Sequence, residues 1–141
     1  MNSYINIKLT DQKLNLQECF EWIQDSSCGG ISIFIGTVRD TTQQKKVNKL
    51  AFSAYNPMAI KEMQQIAERA MKQFAIKKIL IHHAEGLLTI GDIPVIIAVA
   101  SAHRNAAFEA SQFAIDTLKE TVPIWKKEYF EDGEVWVNSH P

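Results

Sequence analysis

Apolar and polar positions alternate along "YINIKLT", residues 4–10, which puts Ile5, Ile7 and Leu9 on one face and predicts a half-buried strand. The period then lengthens. Leu16, Cys19, Phe20 and Ile23 recur at helical spacing, and the cluster from Ser26 to Gly30 ends that helix. "GGISIFIGTVRD", residues 29–40, predicts a second, isoleucine-rich strand, whereas "DTTQQKK", residues 40–46, is polar and aperiodic and predicts a mobile loop. Leu50, Phe52 and Ala54 share one face of the next strand. Pro57 suits the first turn of a helix, where its missing N–H is not needed, and Met58, Met63, Ile66, Ala67, Ala70 and Phe74 form the apolar stripe of that helix.

Two further strands are predicted in "KKILIHHAEGLLTIG" and "IPVIIAVAS", the second apolar enough to be buried on both faces. Ser101 is the expected N-cap of a third helix that turns Ala106, Ala110, Phe113, Ala114, Thr117 and Leu118 inward. That helix must finish before Pro123, because proline disfavours helical geometry in its predecessor. "WKKEYFEDGEVWV" predicts a hairpin turning at Asp132-Gly133. The order of elements is α+β, a largely antiparallel sheet covered by helices.

Length and charge narrow the function classes. The 141 residues suit one domain spanning 1–141, and 15 basic against 16 acidic residues leave no chain-wide footprint for nucleic acid or an anionic membrane. Any basic site must be local. Cys19 and Cys28 form neither a CxxC nor a disulfide framework, the start lacks the pattern of a signal peptide, and the apolar runs are too short to span a bilayer. A soluble, cytoplasmic protein is expected.

Several chemistries are poorly supported. His82 and His83 are strand neighbours that point to opposite faces, so they do not share a metal ion, and no metal site is expected. Cys28 has no recognisable activating partner, and the glycines match neither a nucleophile elbow nor a phosphate-binding loop. What remains is a set of cations at the ends of elements: Arg39 after a strand, His103 and Arg104 opening a helix, Lys119 in its last turn, and Lys126 beyond it. Solvation accounts for Arg104 alone, and helix capping accounts for Lys119 alone. A cation at a helix N-terminus opposes the macrodipole, however, so the His103-Arg104 pair needs a reason that helix stability does not supply, and a bound anion is one such reason. "KETVPIWKKE", residues 119–128, surrounds an apolar turn with lysines in the same way.

From about residue 29 to residue 137 the chain resembles the large subunit of molybdopterin synthase, the MoaE family. The resemblance rests on "FIGTVRD", "AYNPMA", "HHAEGLLTIGD", "SAHRNAAFEASQFAIDTLKETVPIWKKE" and "DGEVWV", in the family's order and spacing. It implies an α/β-hammerhead fold and a homodimer within a heterotetramer, with a small ubiquitin-like MoaD-type subunit at each outer end. The implied reaction is sulfur transfer from the thiocarboxylated C-terminus of that subunit to cyclic pyranopterin monophosphate. Two such transfers make the dithiolene of molybdopterin in molybdenum cofactor biosynthesis. The chain would be active only with its partner, and no resident cofactor is implied. By position, Lys119 and Lys126 resemble the catalytic pair, Arg39, His103 and Arg104 the anion-binding residues, and Phe34 a pocket wall. Lys119 is the expected general acid or base, and Lys126 the electrostatic holder of the thiocarboxylate or intermediate. Pro123 and Trp125 are the expected stiffeners of the lysine pair.

Two other readings compete. One is a catalytically idle subunit that holds a phosphorylated pterin or a ubiquitin-like tail; retention of both lysines argues against it, since phosphate binding alone would accept arginine at either position. The other is an RNA-binding α+β module, which the neutral charge and the lack of an aromatic-basic strand disfavour.

Overall fold

The computed structural model describes residues 3–42, 44–130 and 133–137. In chain order the elements are β1 (Ile5–Thr10), α1 (Leu16–Ile23), β2 (Gly30–Gly36), β3 (Thr41–Thr42), β4 (Lys45–Ala54), α2 (Asn56–Gln73), β5 (Lys78–Ala84), β6 (Gly86–Thr89), β7 (Val95–Ser101), α3 (Arg104–Thr121), β8 (Ile124–Phe130) and β9 (Gly133–Val137). The architecture is mixed α+β with mostly antiparallel pairing, as the patterning predicts.

One sheet runs β1-β5-β7-β2, with only the β1–β5 pair parallel. The second runs β3-β4-β8-β9, with β6 also paired to β4. Residue period two separates the faces of the first sheet. Leu80, Ile96, Ala98 and Ala100 pack with Cys19 and Ile23 of α1 on one face. Ile79, Ile81, Val95, Ile97 and Val99 pack on the other with α2, α3 and the inner face of the second sheet, including Leu50, Phe52 and Ile124.

Several local differences from the patterning have physical causes. Ser101 is the last residue of β7 and not a cap: its hydroxyl donates to the His103 carbonyl, and His103 occupies the N-cap without a side-chain hydrogen bond. Met58, Leu16 and Phe20 lie exposed although their spacing is apolar: α2 turns Ala59 inward with Met63, Ile66, Ala67 and Ala70, and the short α1 buries only Cys19 and Ile23 of its stripe. The polar stretch after Asp40 is partly paired, Thr41 opposite Lys46 and Thr42 opposite Lys45, with Gln44 at φ 69°. Backbone pairing needs no apolar pattern, which is why composition hid it. The β8–β9 hairpin forms as expected, although Asp132 lies outside the described residues.

Helix α1 is held at both ends. The Asn15 side chain accepts from the Glu18 N–H at 2.9 Å. Lys78 of β5 donates to the carbonyls of Trp22 and Gln24 at 2.6 and 3.1 Å, supplying the C-terminal cation that the helix itself lacks. No helix among the described residues is long and apolar enough to cross a membrane.

The adjacent histidines engage different neighbours, as strand alternation requires. His82 lies 2.9 Å from the Asn6 side-chain oxygen and 3.4 Å from the Cys19 sulfur. His83 donates from Nδ1 to the Ala84 carbonyl at 2.7 Å, packs edge-on to Phe52, and has no partner at Nε2. Burial pushes both imidazoles down from 6.5 to about 4. Between these values the unfolded chain binds protons that the folded chain refuses, so stability is full above about 6.5 and is lost as pH falls towards 4. For His83 the loss amounts to about 3 kcal/mol. Urea denaturation across this range should show that slope, and His83→Phe should reduce it by about one proton; an unchanged slope would contradict the assignment.

Candidate active site

A cavity of about 460 Å³ opens where the end of β2, the last turns of α3 and the inner face of β8 meet. Arg39, Lys119, Lys126 and Phe34 line it together, joined by Thr37, Thr42, Ile115 and Glu128. Four of the six residues proposed from sequence are therefore brought together within one chain.

Each is placed by an identifiable local cause. At the end of β2, Gly36 lies so close to Val95 that a Cβ there would stand 2.6 Å from a valine methyl, so only glycine lets the strand reach the cavity rim. Val38 is buried and donates its N–H to the Asp92 carbonyl at 3.2 Å, which fixes the chain just before Arg39. Lys119 sits in the last turn of α3, where a cation complements the helix dipole. The turn into β8 is held by buried Val122 and Ile124, by the Ile124 N–H donating to the Val122 carbonyl at 2.8 Å, and by the Tyr55 N–H donating to the Pro123 carbonyl at 3.2 Å. Trp125 does not stiffen the site as expected: it is exposed, on the face of β8 opposite Lys126.

His103 and Arg104 are elsewhere. The α-carbon of Arg104 stands 3.1 Å from where a Cβ on Gly30 would be, at the opposite end of β2 from Gly36. Lys119 follows Arg104 by fifteen positions, about 22 Å along the axis of α3 at 1.5 Å per residue.

Sequence reading missed Glu128 and Thr42. The Glu128 carboxylate is buried and accepts from the Thr42 hydroxyl at 2.6 Å. The signal was available: Lys126 and Glu128 stand two residues apart in a strand and so share one face. Burial lowers the pKa of Lys126; Glu128 opposes this, and the positive charges of Arg39 and Lys119 add to it. Three cations against one carboxylate leave the cavity positive, and partial burial strengthens its attraction for an anion. It suits an anionic group such as a phosphate or carboxylate.

Comparison with known proteins agrees in sequence and in fold. Residues 9–121 match the family model described as MoaE protein. The chain is 42% identical over 92% of its length to the human molybdopterin synthase catalytic subunit, spanning 69% of that protein. It is 39% identical over 96% of its length to the subunit of the same name from Pyrococcus abyssi, spanning 91% of that one. The crystal structure of molybdopterin synthase from Staphylococcus aureus superposes with a TM-score of 0.87 at 36% identity, covering 98% of both chains. Matched by the family model over most of its length and sharing its fold with a solved synthase chain, the chain belongs to the MoaE family.

Proposed function

We propose that this chain is the large, catalytic subunit of a molybdopterin synthase, and that it acts as a sulfurtransferase only when joined by a small ubiquitin-like MoaD-type subunit. The observation that carries the reading is the convergence of Arg39, Lys119 and Lys126 on one cavity of about 460 Å³ with a single carboxylate. That volume lies within the range of small-molecule sites, and the charge suits the two anions of the reaction. One is the thiocarboxylate on the partner's C-terminal tail; the other is the phosphate of cyclic pyranopterin monophosphate. In each transfer the tail's sulfur bonds to a side-chain carbon of the pterin and displaces the oxygen there, and water cleaves the acyl–sulfur bond to leave the tail as a carboxylate, so two tails are consumed per dithiolene. No cysteine of this chain is required.

Lys119 and Lys126 stabilise the negative charge that develops on sulfur and oxygen, and one of them exchanges a proton with the departing group. Lys119 is the residue that the sequence offers for that proton. Lys126, whose ammonium is disfavoured by burial, joins it as a group able to release a proton.

The reading also gives His103 and Arg104 a place, through a second copy of the chain. Strand β2 is an edge strand with Ile31, Phe34 and Ile35 all exposed. Antiparallel pairing of two copies about Ile33 would set Gly30 of one opposite Gly36 of the other, and Ile31 opposite Ile35. Arg104 of each copy would then approach the cavity of its neighbour. The cytoplasm is the expected setting.

The first experiment mixes the purified chain with a thiocarboxylated small subunit and cyclic pyranopterin monophosphate and follows dithiolene formation by mass spectrometry. Lys119→Ala should lower turnover by about 10²-fold or more while changing stability by under about 0.5 kcal/mol. Complex formation without product would sink the catalytic reading and favour the idle binding subunit. Because the pKa of Lys126 is lowered, a step that needs its charge fails as pH rises through that value, below the 10.5 of a free lysine. Lys126→Arg should move that alkaline limb upward in the pH–rate profile. For the dimer, Lys119→Ala and Arg104→Ala chains, each inactive alone, should recover about a quarter of full activity after mixing and reassociation. Half the dimers are then mixed, with one intact site of two; no recovery would place Arg104 outside the neighbour's site.

A further inference from the structure

The cavity holds a carboxylate among three cations, yet that carboxylate pairs with none of them. Among the described residues the side-chain ion pairs are Lys8 with Glu18 and Lys13 with Asp92, and neither involves the cavity. Glu128 stands two residues from Lys126 on the same face of β8, with a side chain only 2% exposed. Its carboxylate accepts from the hydroxyl of Thr42 at 2.6 Å, brought in by the pairing of β3 with β4. A buried carboxylate without a donor carries a large desolvation penalty, so the donor it is given decides where it points.

We propose that Thr42 is a positioning residue of the site: its hydroxyl holds the Glu128 carboxylate away from Lys126 and leaves the Lys126 ammonium open to an anion of the substrate. The inference rests on the reading of the cavity as a site for anionic substrates. Without the hydroxyl the buried carboxylate loses its donor, and the cations that share its cavity become its alternative partners. Lys126 is faced by Glu128 from β8, by Lys119 from α3 and by Arg39 from the segment after β2, while β4 presents Leu50 and Phe52. Lys126 is the cation on Glu128's own strand face. Closure of that ion pair would neutralise the part of the cavity meant for the substrate.

Two substitutions separate this from a structural role, because they drive Lys126 in opposite directions. Thr42→Val keeps the branched shape, removes the donor and lets the carboxylate reach Lys126, which favours the ammonium. Glu128→Gln keeps an acceptor for Thr42 and removes the negative charge, which disfavours the ammonium. Thr42→Ser keeps the hydroxyl. The measurement is an NMR titration of full-length chain carrying 13C-labelled lysine, with the Lys126 signal identified by its loss in Lys126→Arg. The expected result is an upward midpoint shift of about one pH unit in Thr42→Val, a downward shift of about one in Glu128→Gln, and the unsubstituted midpoint in Thr42→Ser. In the sulfur-transfer assay Thr42→Val should raise KM for the phosphorylated pterin about tenfold, and Thr42→Ser should restore it. A midpoint in Thr42→Val that falls with Glu128→Gln, or does not move, overturns the proposal. Opposite shifts in a chain that makes no dithiolene would leave the placement of Glu128 standing and refute the proposed function instead.

Discussion

Strand β7 is the constraint from which the site is built. Residues Val95–Ser101 are buried throughout, paired with β5 on one side and β2 on the other, and covered on both faces. A strand in that position can hold no charged side chain and leaves no backbone group to water, so its neighbours must supply every hydrogen bond. Its alternate side chains feed two separate apolar clusters, one under α1 and one under α2 and α3. The cavity begins where this strand begins: Val95 touches Gly36, and Pro94 and Val95 form part of its wall.

Against that apolar wall the chain concentrates charge that its composition conceals. A formal net charge of -1 hides a local excess of two positive charges, Arg39, Lys119 and Lys126 less Glu128. The elements that bring these groups together are rigid: a helix end, a strand face, and a segment tied by Val38 to the loop before β7. Preorganisation of that kind matters more for a developing anion than the number of charges, because dipoles and cations already in place need not reorganise during the reaction.

The fold was legible where burial imposes a period. The strand around Ile5 and the helices with Ala70 and Ala114 follow from apolar spacing, the strands around Phe34 and Ile97 from continuous apolar runs, and Pro123 ended α3 as expected. The capping of α3 was not legible, because whether Ser101 finishes a strand or begins a helix depends on β2 pairing alongside it. Nor was the Thr41–Thr42 pairing, which is a matter of backbone hydrogen bonds in a polar stretch. For the site, the residue types were readable and their grouping was not. Lys119 and Lys126 flank one turn and had to be near each other, whereas His103 and Arg104 precede them by the length of a helix and lie at its far end. Glu128 escaped notice because an acidic residue beside two lysines looks like an ordinary solvated surface until the strand face is assigned.

The alternation along β8 turns Ile124, Lys126 and Glu128 inward and leaves Trp125, Lys127 and Tyr129 on the other face, where Lys127 and Lys49 both lie over the Tyr129 ring. A strand displaced by one residue would exchange these two sets completely. Because Lys127 follows Lys126, the misplaced strand would still offer an ammonium to the cavity, and a tally of charges would not reveal the error. Its carboxylate would be gone, and a tryptophan would be forced where Ile124 fits. The acid two positions beyond the first lysine therefore serves as a fiducial mark, telling apart two arrangements that the lysine doublet alone would leave degenerate.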